Sequence, residues 1–261
     1  MRLLNHVLLI AFSTAALTLP GQTLTPIRAR CAITSSSEAR KFSLHVFDDG
    51  DCPDGSHCGS NFSHESMDRF TGIASADLDR EGAHLTATLA AEAGTFTCTG
   101  SVHDQALNGE ALFTPDSAFV DRMAQLGFTG YDSRKLEAYA LLDVTSDFAR
   151  SLQQGHIQGL TTDNLIALHI FHINPEYAQE FVTLGYEQPD ADKLIALKVQ
   201  GVNADEVRQI RALGYQPDLD ELIQIRIFHI TPDFIHRMQD RGFKNLTISK
   251  LVQIRIFKLA D

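Results

Sequence analysis

Residues 231–259, TPDFIHRMQDRGFKNLTISKLVQIRIFKL, are one copy of a unit that recurs throughout the second half of the chain. Each copy has a glycine near its middle, and successive glycines are separated by 28, 30, 29 and 28 residues. These glycines are Gly127, Gly155, Gly185, Gly214 and Gly242. A constant period of this length indicates a repeat array, in which neighbouring units stack and bury one continuous core. We therefore predict about five repeats of roughly 29 residues over residues 114–261.

The sequence of each copy predicts a helical hairpin. Good N-capping residues precede the first helix, and an acidic residue follows two positions later, where free backbone N–H groups and the helix dipole favour negative charge. The four clearest N-caps are Thr145, Asn174, Asn203 and Thr231. The shared glycine is predicted to end this helix in the left-handed conformation. The candidate N-caps of the second helix are Thr161, Asp190 and Thr247.

The second element of each copy admits two interpretations. Residues 223–227, IQIRI, alternate as a half-buried strand would and are rich in β-branched side chains, which favours an α/β solenoid. The N-caps, the length of segment 222–230 and the LIAL sequence at the same position of other copies favour a helix. We expect an array of α-helical hairpins, with the α/β solenoid as the alternative.

Residues 31–113 have a different pattern, which predicts a small antiparallel β-domain. The candidate strands are residues 41–47, 84–89, 95–102 and 107–113. A turn at residues 92–94 would join two of them in a hairpin, and residues 63–82 are expected to carry one short helix. The sequence thus predicts an α+β protein, in which a sheet of about four strands, covered on one face, precedes the helical repeats.

All four cysteines, Cys31, Cys52, Cys58 and Cys98, lie in the predicted β-domain. An even number of cysteines confined to one region of an exported chain favours two disulfides, and three pairings are open. A Cys52–Cys58 bridge would close the loop DCPDGSHC and leave Cys31 to pair with Cys98. A zinc site is the competing interpretation, but this cysteine spacing, without a second close pair, is poor for zinc ligands.

The N-terminus predicts export. Arg2 precedes an uncharged run at residues 7–19, VLLIAFSTAALTL, which is too short to span a bilayer but suits the apolar core of a signal peptide. We expect a signal peptide at residues 1–22, with cleavage between residues 18 and 29 and no later than residue 30. No later segment is apolar enough to span a bilayer. We expect the mature protein in the periplasm or outside the cell, without membrane insertion.

Composition and motifs exclude several functional classes. The chain has 33 acidic and 22 basic residues, a formal net charge of −11. This balance argues against a nucleic-acid binder, whose affinity comes from Lys and Arg contacts with phosphates. The sequence motifs of serine hydrolases, P-loop proteins, dinucleotide-binding proteins and zinc peptidases are all absent. We therefore predict a non-enzymatic protein that needs no cofactor.

An acidic loop is the weak candidate for a metal site. Asp49 and Asp51 have the spacing of calcium-loop ligands, but Asp54 falls one position late and no glutamate follows at the distance of a bidentate ligand. A solvated turn is the favoured interpretation. The alternative function, a metal-dependent hydrolase, would use the residues in and near this loop: Asp48, Asp49, Asp51, His57 and His64.

One cationic or histidine residue per repeat recurs near the end of the second element. We call these residues the cation ladder: His169, Lys198, Arg226 and Arg255. Because Lys and Arg occupy the position, a set of metal ligands is excluded. One interpretation is that positive charge near a helix C-terminus complements the helix dipole and aids solubility. The other is a binding surface for an acidic partner or for the acidic β-domain.

Residues 93–128, AGTFTCTGSVHDQALNGEALFTPDSAFVDRMAQLGF, followed by repeats such as residues 231–259, resemble a bacterial repeat region. That region occurs alone or behind antirepressor-type membrane zinc metallopeptidases, the relatives of β-lactam sensor–transducers. The resemblance covers roughly residues 41–261 and implies a protein-interaction module. This chain has no H-E-x-x-H motif and no transmembrane bundle, so the peptidase chemistry is not carried over to any residue.

Together these patterns predict an exported, non-enzymatic protein whose repeat array binds a protein or peptide partner in the cell envelope. Stacked repeats form an extended surface suited to that task. The alternatives are the metal-dependent hydrolase and a sensor component of an envelope signalling system. The sequence leaves the identity of the partner and the oligomeric state open.

Overall fold

The computed structural model of the chain describes residues 24–37, 40–48 and 58–257, the side chains of 48 and 58–65 excepted. Within these residues an antiparallel sheet is followed by ten α-helices. The predicted α+β fold class, a small antiparallel sheet followed by helical hairpins, is confirmed. The candidate signal peptide lies outside the described residues.

The described part of the sheet has seven strands. They are β1 Ile27–Ser35, β2 Lys41–Asp48, β3 Cys58–Ser66, β4 Phe70–Thr71, β5 His84–Ala91, β6 Gly94–His103 and β7 Ala106–Pro115. Their order is β3-β2-β1-β7-β6-β5-β4, and every neighbouring pair is antiparallel. Strands that follow one another in sequence pair with each other, with the exception of β3 and β4. In addition, β1 pairs with β7. β1 is therefore an interior strand that is paired on both sides.

The sheet is curled, because its two edge strands are joined by a very short connection. Only the 3-10 helix Met67–Arg69 separates β3, at one edge, from β4, at the other. Phe42 of β2 and Phe70 of β4 meet edge to face, with ring centroids 5.6 Å apart, although β1, β7, β6 and β5 separate these strands in the sheet order. The curl encloses large side chains that are at most 1% exposed: Ile33, Phe42, Leu44, Leu89, Phe96, Leu107 and Phe113.

A buried disulfide between Cys31 and Cys98 links β1 to β6 across the intervening strand β7. The two Cα atoms are 6.0 Å apart, whereas two strands on either side of a third in a flat sheet are about 9.5 Å apart. The small residues Gly109 and Ala111 of β7 lie opposite the two cysteines, which leaves room for the bridge. This is one of the pairings that the sequence leaves open; Cys52 and the side chain of Cys58 lie outside the described residues.

Replacing both bridged cysteines, Cys31→Ala with Cys98→Ala, should lower the free energy of unfolding by about 4 kcal/mol. The expected loss is the loop entropy of a bridge whose cysteines are 67 residues apart. Chemical denaturation followed by circular dichroism measures the change. The matched control is Cys52→Ala with Cys58→Ala, which keeps the Cys31–Cys98 bridge and should cost less. An equal loss in both variants would contradict a dominant role for the bridge between β1 and β6.

The sheet is larger than predicted, by the strands β1, β3 and β4. β1, IRARCAITS, overlaps the range of candidate cleavage sites, and a cut at Ala29 would fall inside a strand that is paired on both sides. β3, CGSNFSHES, is polar and lacks the hydrophobic alternation of a predictable strand. Two 3-10 helices, Met67–Arg69 and Ser75–Asp79, stand where one short helix is predicted.

The helices form two stacked layers. The first helices of the five copies are α1 Ser117–Gln125, α3 Ser146–Gln154, α5 Pro175–Thr183, α7 Ala204–Ala212 and α9 Pro232–Asp240. The second helices are α2 Ser133–Leu142, α4 Asn164–Ile170, α6 Ala191–Val199, α8 Leu219–Ile227 and α10 Ile248–Phe257. α1 contacts α3, α3 contacts α5, and the second helices contact one another in the order α2, α4, α6, α8, α10. The second element of every copy is a helix, so the hairpin array is confirmed and the α/β solenoid is wrong.

Six of the seven predicted N-caps are confirmed. Each capping side chain accepts a hydrogen bond from the backbone N–H three residues later, at 2.8–3.3 Å. These residues are Thr145, Asn174, Asn203 and Thr231 for the first helices, and Thr161, Asp190 and Thr247 for the second. Thr161 accepts the corresponding hydrogen bond but lies three residues before the start of α4 at Asn164, where Asp163 is the N-cap residue. Capping satisfies N–H groups that the helix itself leaves unpaired, so it fixes where each helix begins.

The shared glycine has two different roles. In four copies its φ lies between +84° and +89°, the left-handed helix end that the sequence predicts: Gly127, Gly185, Gly214 and Gly242. The prediction is wrong for Gly155, whose φ is −74°, and His156 is left-handed instead, with φ 57°. A Cβ on Gly155 would lie 2.7 Å from Cβ of Pro175. Glycine is required there because the end of α3 packs against the start of α5.

The first copy is built into the sheet. α2 contacts β5, β6 and β7, and the buried core is continuous from the sheet into the helices. Arg69, in the connection between the two sheet edges, donates from Nη1 to the Leu141 carbonyl at 2.9 Å and from Nη2 to the Ala140 carbonyl at 2.8 Å. Its guanidinium also lies 3.4 Å from the Asp143 carboxylate. These contacts satisfy carbonyls at the end of α2 and complement the negative end of its dipole.

A second contact joins the sheet to α3. Glu92, in the turn between β5 and β6, accepts hydrogen bonds at Oε2 from the backbone N–H of Ser146 at 3.1 Å and from its hydroxyl at 2.7 Å. The Arg122 guanidinium of α1 lies 3.8 Å from the same oxygen. The sheet therefore fixes the start of the second copy as well as the position of the first.

Candidate partner-binding surface

An exposed aliphatic side chain recurs at one position of the second helices. We call this set the aliphatic ladder: Ile170, Val199, Ile227 and Ile256. These residues are between 47% and 52% exposed. Large aliphatic side chains are usually buried, so four half-exposed ones at equivalent positions form a distinct apolar surface. Phe171 and Phe257, at the next position of two copies, extend it and are 37% and 66% exposed.

Each residue of the aliphatic ladder directly follows a cation-ladder residue in sequence, so the two ladders lie about 100° apart around the second helices. Each cation-ladder residue contacts the first helix of its own copy. The pairs are His169 with Phe148, Lys198 with Tyr177, Arg226 with Glu206 and Arg255 with Phe234. Lys198 Nζ lies 4.5 Å from the centre of the Tyr177 ring, and Arg255 Cζ lies 4.0 Å from the centre of the Phe234 ring. At these distances the ring quadrupole attracts a cation.

The arginines of the cation ladder also bind the preceding copy. Arg226 Nε donates to the Gln200 carbonyl at 2.8 Å, and Arg255 Nη2 donates to the His229 carbonyl at 3.2 Å. Both carbonyls lie at the end of the preceding second helix, where a cation complements the dipole. The ladder therefore ties successive copies together. Its role in binding a partner stays a prediction.

His169 lies where the second copy meets the sheet-bound first copy. Burial lowers its pKa below the usual 6.5, an effect that the Asp143 carboxylate partly offsets. The positive charges of His172 and Arg69 lower the pKa as well, while a hydrogen bond to the Leu142 carbonyl raises it. On balance the pKa of His169 is lowered, so folding favours its neutral form.

Acidification should destabilise the protein through His169. The stabilisation is fully present above the unfolded-state pKa of about 6.5 and is lost as the pH falls toward the lower folded-state pKa, because the unfolded chain binds more protons. His169→Gln should therefore reduce the fall in unfolding free energy between about pH 7.5 and about pH 5.5, measured by urea denaturation at each pH. His236→Gln, at an exposed position of α9, is the control. An unchanged pH dependence in His169→Gln would contradict the assignment.

The stacking and capping contacts should be measurable at Arg255. Arg255→Gln removes the guanidinium from the Phe234 ring and from the His229 carbonyl, and should lower the unfolding free energy by about 1–2 kcal/mol. Thermal and urea denaturation measure the change. Arg208→Gln is the control, because Arg208 is exposed and pairs with Asp205 of its own helix. Equal losses in the two variants would show that removal of a positive charge alone explains the effect.

The ladder position is buried in the first copy, whose second helix packs on the sheet. Leu141 of α2 is equivalent to Ile170 of α4, yet it is 0% exposed. The strands β5–β7 contact α2, and Arg69 reaches the carbonyl of Leu141 itself. In the later copies no described element covers this position to the same extent, and the aliphatic side chains stay half exposed.

The other predicted site residues form no metal centre that the structure describes. Asp49, Asp51, Asp54 and His57 lie outside the described residues, as do the side chains of Asp48 and His64. Within the described part of the chain, no group of three or more His, Cys, Asp or Glu residues is placed to hold a metal ion. The calcium loop and the hydrolase site stay predictions.

A polar cleft of about 540 Å³ lies between α3, α5 and α7 on the first-helix layer. Its walls carry the carboxylates of Glu176 and Glu180 and the guanidinium of Arg208. The Thr183 hydroxyl, which also lines the cleft, donates to the Gln179 carbonyl at 2.8 Å. Among the described residues that line it, the cleft therefore has no hydroxyl paired with a general base.

Sequence reasoning identifies the cation ladder but misses the aliphatic ladder. The available signal is the repetition itself: an aliphatic residue follows the cationic or histidine residue in all four copies. That signal is weak because an apolar residue on an amphipathic helix is normally assigned to the core. The structure separates core residues from ladder residues by their place in the helix. The ladder lies in the last turn of each second helix, beyond the part that neighbouring helices bury.

Comparisons with known proteins assign no family to the chain: no family model, curated protein or solved structure matches it. The resemblance to the repeat region of antirepressor-type metallopeptidases stays a prediction. Among the described helices, none is long and apolar enough to cross a membrane. The geometry of the surface is therefore the basis for a functional proposal.

Proposed function

We propose that this protein is an interaction module whose repeat array binds a protein or peptide partner through the aliphatic ladder and the adjacent cations. The observation that carries the proposal is the repetition of half-exposed aliphatic side chains at one position of four copies. Exposed apolar surface is unfavourable in water for an array that stays alone, whereas a partner that spans several copies buries these side chains together.

The free energy gained by covering the aliphatic ladder is a substantial part of what binding requires. Full burial of a large aliphatic side chain contributes about 1.5–3 kcal/mol, so covering the exposed half of four contributes roughly 3–6 kcal/mol. Association costs a comparable amount of translational and rotational freedom, so the apolar contact requires support from polar pairing. The cations beside the ladder supply charged groups for that purpose.

We propose that the protein acts outside the cytoplasm, in the periplasm or beyond it. The Cys31–Cys98 disulfide supports this location, because disulfides persist in oxidising compartments. The apolar run at residues 7–19 supports it independently, as a signal-peptide core. The partner is then a component of the cell envelope or of the exterior.

Affinity capture from an envelope extract tests the proposal. The immobilised full chain is compared with the variant Val199→Asp with Ile227→Asp by quantitative mass spectrometry. At least one protein should be retained by the native chain and reduced about tenfold or more on the variant, since charges replace two buried contacts.

Phe243→Asp is the matched control, because Phe243 is 42% exposed but lies outside the aliphatic ladder. It should retain the same proteins as the native chain. Circular dichroism establishes that each variant keeps its helical content. Identical capture by all three chains would contradict a binding role for the ladder.

A further inference from the structure

We infer that the segment bound by the aliphatic ladder is an extended, acidic polypeptide that carries aliphatic side chains. The inference rests on the proposed function and adds the conformation and the charge of the partner. Three observations lead to it: what covers the equivalent face in the first copy, the reach of the ladder, and the charges beside it.

Extended backbone already packs on the equivalent helix in the first copy. Ala140 and Leu141 of α2 are 0% exposed, and the elements that contact this helix from the other half of the chain are strands β5, β6 and β7. Ile170 is the equivalent of Leu141 in the next copy, so the ladder continues the same face away from the sheet. A strand-like partner extends to the later copies the packing that the chain uses on the first.

The reach of the ladder suits a short extended segment. Packed helices lie about 8–10 Å apart, so four neighbouring second helices spread the ladder over about 24–30 Å. An extended chain advances about 3.3 Å per residue and covers this span with about seven to nine residues. A helix needs about 16–20 residues for the same span, at 1.5 Å per residue.

The charges beside the ladder favour carboxylates on the partner. Among the described residues no carboxylate forms an ion pair with Lys198 or Arg255, and the contact of Arg226 with Glu206 is 3.5 Å long. Arg226 uses Nε, and Arg255 uses Nη2, for a backbone carbonyl. Arg226 also uses Nη1 for Glu206, and Nε of Arg255 is buried. Nη2 of Arg226 and Nη1 of Arg255 therefore remain for a carboxylate.

Two acidic residues at the opposite ends of the second helices are paired with lysines. Asp163 forms an ion pair with Lys135 of the preceding copy, with 2.6 Å between Nζ and Oδ1. Asp220 forms the equivalent ion pair with Lys193. These two carboxylates are thus neutralised within the array, whereas Lys198 and Arg255 form no ion pair with a described carboxylate. Lys198 and Arg255 therefore favour carboxylates on a partner that lies beside the ladder.

A second copy of this chain is a poorer occupant of the ladder. Two ladders packed face to face would bring like charges together, which costs free energy in an interface. These charges belong to Lys198, Arg226 and Arg255 in each copy. An acidic segment from a different protein avoids that repulsion and gains from the same groups.

Four synthetic peptides, measured by fluorescence anisotropy with the full chain, test the inference. The first has about nine residues that alternate Glu and Val, the length that spans the ladder. The second replaces Glu by Lys, and the third replaces Val by Ser. The fourth arranges Glu, Leu and Ala in a helix-forming order. The first peptide should bind at least about tenfold more tightly than each of the others.

Variants of the chain locate the binding. Val199→Ser with Ile227→Ser should weaken the Glu–Val peptide by about tenfold or more, and Phe243→Ser, exposed but off the ladder, should leave its affinity unchanged. Lys198→Gln with Arg226→Gln should weaken binding and remove most of its dependence on salt concentration.

Preference for the helical peptide or for the Lys–Val peptide at the ladder would overturn the inference and leave the proposed function standing. Binding of the Glu–Val peptide that is equal in the ladder variant and the native chain would overturn it as well. Sedimentation that shows self-association, abolished by Val199→Ser with Ile227→Ser, would identify a second copy as the occupant and overturn the inference. Failure of both this experiment and the capture experiment would remove the proposed function too.

Discussion

A single helical hairpin cannot bury all of its apolar surface, and this constraint shapes the whole molecule. Each copy covers one side of its neighbour, and the first copy, which follows the sheet directly, packs on the sheet instead. Arg69 strengthens that junction by satisfying two carbonyls at the end of α2. The sheet thus sets the orientation of the first hairpin, and every later hairpin follows from the one before it.

The features that the sequence predicts well are local ones. An N-cap acts within three residues, so Thr145 or Asn174 predicts a helix start from the local sequence alone. The additional strands are different, because β1 pairs with β7 and β3 is polar, and neither pairing leaves a local pattern. Gly155 is a related case: its place in the repeat predicts a left-handed helix end, but close contact with Pro175 is the actual reason for glycine.

The proposed binding surface was predictable in part, because charge is informative at any exposed position and hydrophobicity is not. The cations could be found from residue type and spacing alone. The adjacent aliphatic residues could not, since Ile166 packs against the core and Ile170, one helical turn later, is 48% exposed although both fit a helical period. The same cations hold neighbouring copies together, so a partner that binds them acts on groups that also determine how the copies are stacked.

The interior position of β1 sets an order of folding. Because β1 lies between β2 and β7, the sheet is incomplete until the chain has emerged through about residue 115. Cys98 is the last of the four cysteines along the chain, so the bridge to Cys31, 67 residues away, is also completed late. The hairpins have no such delay, since each contacts mainly its immediate neighbours. An array that can grow one copy at a time is therefore attached to a sheet that has to form as a whole.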